Sequence, residues 1–137
     1  MKNINAIKVL IVDDEPDVSN LIKMRLAREA AHLTLSTVES AGECLAFVKE
    51  HEVDCILSDY QMPGMDGMEL LQALRAEGNN TPFIFVTGQG NEQIARDAFK
   101  SGANDYFTKE VGFAHFARIV NSIEQAVRQK RAEDAKR

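Results

Sequence analysis

Lys8-Val9-Leu10-Ile11-Val12-Asp13-Asp14-Glu15-Pro16 is the stretch whose reading decides the fold. A β-branched apolar run without polar alternation is a strand covered on both faces, the pattern of a parallel sheet. Asp13 and Asp14 end it. Pro16 then suits the first turn of a helix, where its missing N–H has no partner to lose. Val18, Leu21, Ile22 and Leu26 follow at helical spacing, so the segment from about 16 to 30 reads as a helix.

The same strand-then-helix alternation repeats along the chain. Thr34 to Val38 alternates like a strand, and Ser40 opens a helix as N-cap with Glu43 placed to reach back in a capping box. Cys44, Leu45, Phe47 and Val48 give that helix its apolar side. Val53 to Ser58 is a third strand, ended by Asp59 and followed by a Pro- and Gly-rich loop, Gln61 to Gly67. Leu70, Leu71 and Leu74 mark a helix stopped by Gly78. Pro82 to Val86 is a fourth strand ending at Thr87. Asn91 caps a helix that Gly102 stops. Asp105 to Thr108 is a fifth strand ending at Lys109. Phe113, Phe116, Ala117, Val120, Ile123 and Val127 form the stripe of one long last helix. Five strands alternating with five helices imply an α/β fold, a parallel sheet with helices on both faces.

The bulk numbers narrow the class. The 137 residues make one domain, 45% hydrophobic and 27% charged, which excludes disordered and collagen-like chains. A net charge of −5 argues against a global attraction to nucleic acid or to anionic membrane. Cys44 and Cys55 lack ligand or redox spacing and read as buried free thiols of a reducing cytoplasm. No apolar run approaches the roughly 20 residues of a membrane span. The expected domain is 6–128. Residues 129–137 read as a charged helical extension or tail, since Arg128 to Arg137 carry five basic and two acidic side chains.

Polar residues end the strands: Asp13-Asp14, Asp59, Thr87 and Lys109. In an open parallel sheet these ends share one edge, where ligands bind. Each close carboxylate pair there costs on the order of 4 kcal/mol at about 4 Å and an effective dielectric near 20. Lys109 and a divalent cation are the two sources of relief. Oxygen donors without His or Cys favour Mg²⁺. A carboxylate in such a site can act as a nucleophile on phosphorus, giving an aspartyl phosphate. Mg²⁺, Lys109 and the Thr87 hydroxyl would neutralise the transferring group from three sides.

Val12-Asp13-Asp14-Glu15-Pro16, Ser58 to Gly67, Val86-Thr87-Gly88 and Asp105 to Lys109 together resemble the receiver domain of two-component response regulators, over about residues 6 to 128. The resemblance implies a flavodoxin-like doubly wound sheet of order 2-1-3-4-5. It implies that Asp59 is the phosphoacceptor, supplied by a sensor histidine kinase or a histidine phosphotransfer protein. It implies that Mg²⁺, or Mn²⁺ in its place, is held by Asp14, Asp59 and the Gln61 backbone carbonyl, with Asp13 acting through a water. Lys109 would pair with the phosphoryl oxygens, Thr87 would move to hydrogen-bond them, and Tyr106 would swing inward behind Thr87. Gln61 and Gln89 would then lie near the site and tune hydrolysis. Helix four, strand five and helix five would form the output face and a possible homodimer contact. The domain would be a switch rather than an enzyme.

One departure from the family stands out. Lys109 is followed by Glu110 where the family usually has proline, so a trans peptide or an altered loop is expected here. Gly88 in place of the common alanine is a smaller one. Two other functions fit parts of the pattern. An aspartate-nucleophile phosphatase would need a second acid two residues after Asp59, and Gln61 stands there. A pseudo-receiver would have lost the acids or the lysine, and all are present.

Overall fold

The structure, a computed structural model, describes residues 6–88 and 90–136. Five strands, β1 (Ile7–Val12), β2 (Leu33–Val38), β3 (Cys55–Ser58), β4 (Phe83–Thr87) and β5 (Asp105–Thr108), alternate with helices. These are α1 (Pro16–Glu29), α2 (Ala41–Glu50), α3 (Gly67–Ala76), α4 (Glu92–Lys100), α5 (Lys109–Ala114) and α6 (Phe116–Ala135). All strand pairs are parallel and the order is β2-β1-β3-β4-β5, as the family resemblance implies.

Both faces of the sheet are covered, which is why β1 shows no polar alternation. Val9 and Ile11 enter one core with Ile22 and Leu26 of α1 and Ile119 and Ile123 of α6. Leu10 and Val12 enter the other, with Cys44 of α2, Leu70, Leu71 and Leu74 of α3, and Ala98 of α4. Burying each such aliphatic side chain contributes about 1.5–3 kcal/mol. Cys44 and Cys55 are buried and free. Burial pushes the Cys44 thiol up to about 12, so it packs as a small hydrophobe.

Local signals behave mostly as expected. Pro16 opens α1, and Asn91 accepts the Ile94 N–H at 2.9 Å to cap α4. Gly78 and Gly102 take φ of 81° and 103° just past α3 and α4, where a side chain would be strained. The capping box at Ser40 is only half formed. Ser40 Oγ accepts the Glu43 N–H at 3.1 Å but donates to the Glu43 carboxylate at 3.4 Å, so that carboxylate does not reach back to the backbone. A complete box stands instead at Asp66 and Glu69, where each side chain accepts the other's N–H at 2.8 and 3.0 Å.

The last helical stretch differs from the sequence reading. It is two helices, so there are six among the described residues and not five. His115, at φ −140° and ψ 65°, breaks the stretch after Ala114. Phe113 stacks on Phe116 across the break, 5.4 Å between centroids. The helix therefore begins at Lys109 itself, with Thr108 Oγ1 capping the Val111 N–H at 3.3 Å. No cis peptide occurs among the described residues. The altered loop expected at Lys109-Glu110 is this immediate turn of helix.

Candidate functional site

Strand register brings the acids together. Val12 pairs with Ser58, the Asp59 N–H donates to the Val12 carbonyl at 2.9 Å, and the Asp13 N–H donates to the Val38 carbonyl at 3.2 Å. The ladder thus extends one residue past each strand and sets Asp13 and Asp59 side by side. They lie between β1 and β3, where the strand order reverses. Behind Asp59, Gly67 lets α3 approach. A Cβ there would collide with the Asp59 carbonyl oxygen and come within 2.9 Å of Phe85 Cε1.

Lys109 reaches this pair from the far side of the sheet. Its ammonium lies 3.2 Å from Asp13 Oδ2 and 3.3 Å from Asp59 Oδ2. The remaining oxygens are held by backbone: Asp13 Oδ1 accepts the Glu15 N–H at 2.9 Å, and Asp59 Oδ1 accepts the Tyr60 N–H at 2.8 Å. Both carboxylates are buried, at 1% and 7% exposure, so each orientation is fixed by its anchor.

Electrostatics follow from that burial. The Asp13 carboxyl is pushed above its ordinary range, first by loss of water and further by the neighbouring Asp59, against the opposing pull of the Glu15 N–H and Lys109. Burial alone would pull Lys109 down, but the charges of Asp59 and Asp13 outweigh it and hold the ammonium above its usual value.

Asp13, Asp14, Glu15 and Asp59 each offer a carboxylate oxygen, all within 4.8 Å of one another. Asp13 Oδ2 is buried and accepts no well-directed hydrogen bond; only the charge of the ammonium beside it compensates. One cation against four acids, with oxygen donors alone, is the donor set that suits Mg²⁺. The residues fit such an ion. Asp14, half-buried, lines a cleft of about 440 Å³ with Gln61, Met62, Pro63, Gly64 and Asp66, so Gln61 stands at the mouth of the acid cluster.

Thr87 and Tyr106 occupy the neighbouring strands. Thr87 is fully buried at the end of β4, in register with Thr108. Tyr106, on β5 opposite Phe85, is half-buried, and its hydroxyl fills the space over Gly90 that a Cβ would need. Burial raises the Tyr106 phenol, with a further push from Tyr60. Gln89 lies outside the described residues. None of the histidines belongs to the cluster: His32 pairs with Glu124 at 2.9 Å and His51 stacks on Phe47. Glu15 is the member that strand-end reasoning passed over. Its signal was present, because a residue directly after two acids at a helix entrance shares their edge.

Comparison with known proteins identifies the family and the fold. The profile of the response regulator receiver domain matches residues 9–121. An uncharacterized 14.6 kDa protein of Leptolyngbya boryana is 34% identical over 122 residues, covering 88% of this chain and 92% of that one. The transcriptional regulatory protein ResD of Bacillus subtilis is 37% identical over 109 residues, covering 80% of this chain but only 44% of the regulator. This chain therefore spans less than half of that relative's length. Among solved structures, FixJ-N superposes with a TM-score of 0.79 at 31% identity, over 93% of this chain and 96% of that one. The response regulator TrrA of Thermotoga maritima, in complex with Mg²⁺ and BeF, gives 0.73 at 25% identity, over 85% and 98%. The strand order, the carboxylate edge with its lysine and the profile match place this chain in the response regulator receiver domain family of two-component systems.

Proposed function

We propose that this domain is a phosphorylation-dependent switch in which Asp59 accepts a phosphoryl group from the phosphohistidine of a histidine kinase or histidine phosphotransfer protein. The observation that carries the reading is the Lys109 ammonium set between Asp59 Oδ2 and Asp13 Oδ2, at 3.3 and 3.2 Å. An Asp59 carboxylate oxygen attacks phosphorus in line. The phosphorus–nitrogen bond breaks, and its electron pair returns to the imidazole. The Tyr60 N–H holds the carboxylate in place during attack. Lys109 passes from the carboxylates to the new phosphoryl oxygens, where charge accumulates.

Asp14, Asp59 and the Gln61 carbonyl would hold Mg²⁺ (or Mn²⁺), with Asp13 reaching it through a water. When bound, the ion supplies positive charge to the phosphoryl oxygens. The Thr87 hydroxyl donates to the phosphoryl group, and Tyr106 turns inward behind it. The changed surface is that of α4, β5 and the α5–α6 stretch, which then meets a partner or a second copy of this chain. Chemistry is limited to the domain's own aspartyl group, so it regulates rather than turns over substrate. Gln61 and Gln89 tune hydrolysis of the aspartyl phosphate.

Residues 6–128 form the receiver unit and 129–137 a charged extension, since the buried stripe of α6 ends at Val127. No described helix is long and apolar enough to cross a membrane. The free thiols support a reducing, cytoplasmic setting. A net charge of −5 supports the absence of direct nucleic-acid binding.

Acetyl phosphate with Mg²⁺ tests the reading. Intact mass should rise by one phosphoryl group in the wild type and stay unchanged in Asp59→Asn. Uptake by that variant at the wild-type level would remove Asp59 from the role.

A further inference from the structure

Ser58 ends β3 and is 1% exposed. Side chains two apart share a face of the sheet, and Ile56 on that face packs into the core beneath α3. An aliphatic group at 58 would continue that packing. Ser58 places a hydroxyl there instead, and a hydroxyl taken out of water needs a partner. The partner is the next carbonyl along the chain: Ser58 Oγ donates to the Asp59 carbonyl at 2.8 Å.

That carbonyl lies past the strand ladder. The pairing of β1 with β3 ends at Val12 and Ser58. The Asp59 N–H still finds the Val12 carbonyl, but the Asp59 carbonyl faces Gly67 of α3, so closely that a Cβ there would collide with it. Among the described residues, the Ser58 hydroxyl is the one group that donates to it. The Asp59 C=O and the Tyr60 N–H belong to a single planar peptide. One side of this peptide accepts the Ser58 hydroxyl. The other side donates to Asp59 Oδ1 at 2.8 Å, which leaves Oδ2 facing Lys109. Holding the carbonyl therefore also aims the N–H that anchors the carboxylate.

We infer that Ser58 is a positioning residue for phosphoryl transfer: its hydroxyl sets the 59–60 peptide, and that peptide holds the nucleophilic carboxylate in one orientation. The inference rests on the phosphorylation reading above. Ser58 touches no transferring group and acts through the peptide. Orientation matters because the attacking oxygen must approach phosphorus in line, and a misplacement of about 1 Å costs on the order of 100-fold in rate. Without the hydroxyl, a buried carbonyl is left with no donor. A tilt of the peptide toward another donor relieves that penalty, and the same tilt takes the Tyr60 N–H off Oδ1.

The test pairs the rate of phosphoryl uptake from acetyl phosphate with Mg²⁺, followed by intact mass, with the amide resonance of Tyr60 in the isotope-labelled chain. Under conditions where the variant is fully folded, Ser58→Ala should take up phosphoryl about three- to tenfold more slowly, the loss of one hydrogen bond. Its Tyr60 N–H should move upfield as the bond to the carboxylate weakens. Ser58→Thr keeps the hydroxyl and should return the rate to within about twofold of wild type. A serine that only stabilises the fold would lower the urea midpoint and leave the rate and the Tyr60 resonance of the folded protein unchanged. That result, or slow uptake in Ser58→Ala with an unmoved Tyr60 resonance, would overturn the inference. If Ser58→Ala does not fold, Ser58→Cys carries the test. Its thiol is a weaker donor, so both readouts should change in the same direction by less, and wild-type values in both would overturn the inference. Absence of uptake in the wild type would instead overturn the reading of Asp59, and the positioning role with it.

Discussion

Lys109 Nζ lies 3.3 Å from Asp59 Oδ2, across a sequence separation of 50 residues. The same ammonium lies 3.2 Å from Asp13 Oδ2. One cation therefore balances two buried acids, and its loss affects both stability and chemistry.

Lys109→Met keeps the aliphatic stem and removes the charge. Breaking a buried pair in this way costs about 3 kcal/mol, so the urea midpoint should fall at neutral pH in metal-free buffer. Losing one charge-assisted hydrogen bond of about 1.5–3 kcal/mol should also slow phosphoryl uptake by roughly 10- to 100-fold. Wild-type stability and uptake in this variant would show that the ammonium is a bystander.

Asp13 predicts a pH dependence. Its folded pKa lies above the ordinary aspartate value of 3.8, chiefly through burial. Between 3.8 and the raised value the folded state binds more protons than the unfolded one, so stability rises as pH falls through that window. Lys109 is also raised, above 10.5, so its contribution is present below that pH and is lost as pH climbs through the folded value. Thermal melts in metal-free buffer should show the gain on mild acidification, and Asp13→Asn should reduce it.

Neutralising an acid and adding a cation should compensate for one another. In metal-free buffer Asp13→Asn and Asp14→Asn should each melt above wild type, because one repelling carboxylate is gone. Saturating Mg²⁺ should raise wild type by about 2.7 kcal/mol at 100 times its dissociation constant. Asp14→Asn should respond much less. Equal Mg²⁺ responses in wild type and variant would place the ion elsewhere.

Gly67→Ala tests the approach of α3 to the site. The new methyl would meet the Asp59 carbonyl oxygen and lie 3.1 Å from Tyr60 Cα, both backbone atoms that cannot step aside cheaply. The variant should lose about 3 kcal/mol by urea unfolding. Because Asp59 itself must shift, uptake of phosphoryl should fall as well.

Much of this was legible from local pattern. The uninterrupted run at Val9 to Val12 needs only the two-residue period of a strand to announce a sheet covered on both faces. Strand-end reasoning then set Asp13, Asp14, Asp59 and Lys109 on one edge. Ser40 is the N-cap that was read there, but its box is only half formed, and the complete box at Asp66 went unread, because both sites carry Glu three residues on and closure depends on side-chain geometry. The break at His115 was invisible, since the apolar stripe runs through it without a change of period.

The sequence by itself determined the alternation of elements, the burial of each strand and the edge that carries the chemistry, because these follow from short-range periodicity and chain connectivity. Only the tertiary structure decided that Asp13 is the more buried acid, that Glu15 joins the cluster, that Lys109 bridges Asp13 and Asp59, and that Ser122 finds Asp105. Those pairings join residues far apart in the chain. Their partners are selected by packing and desolvation in three dimensions, on which no local pattern reports.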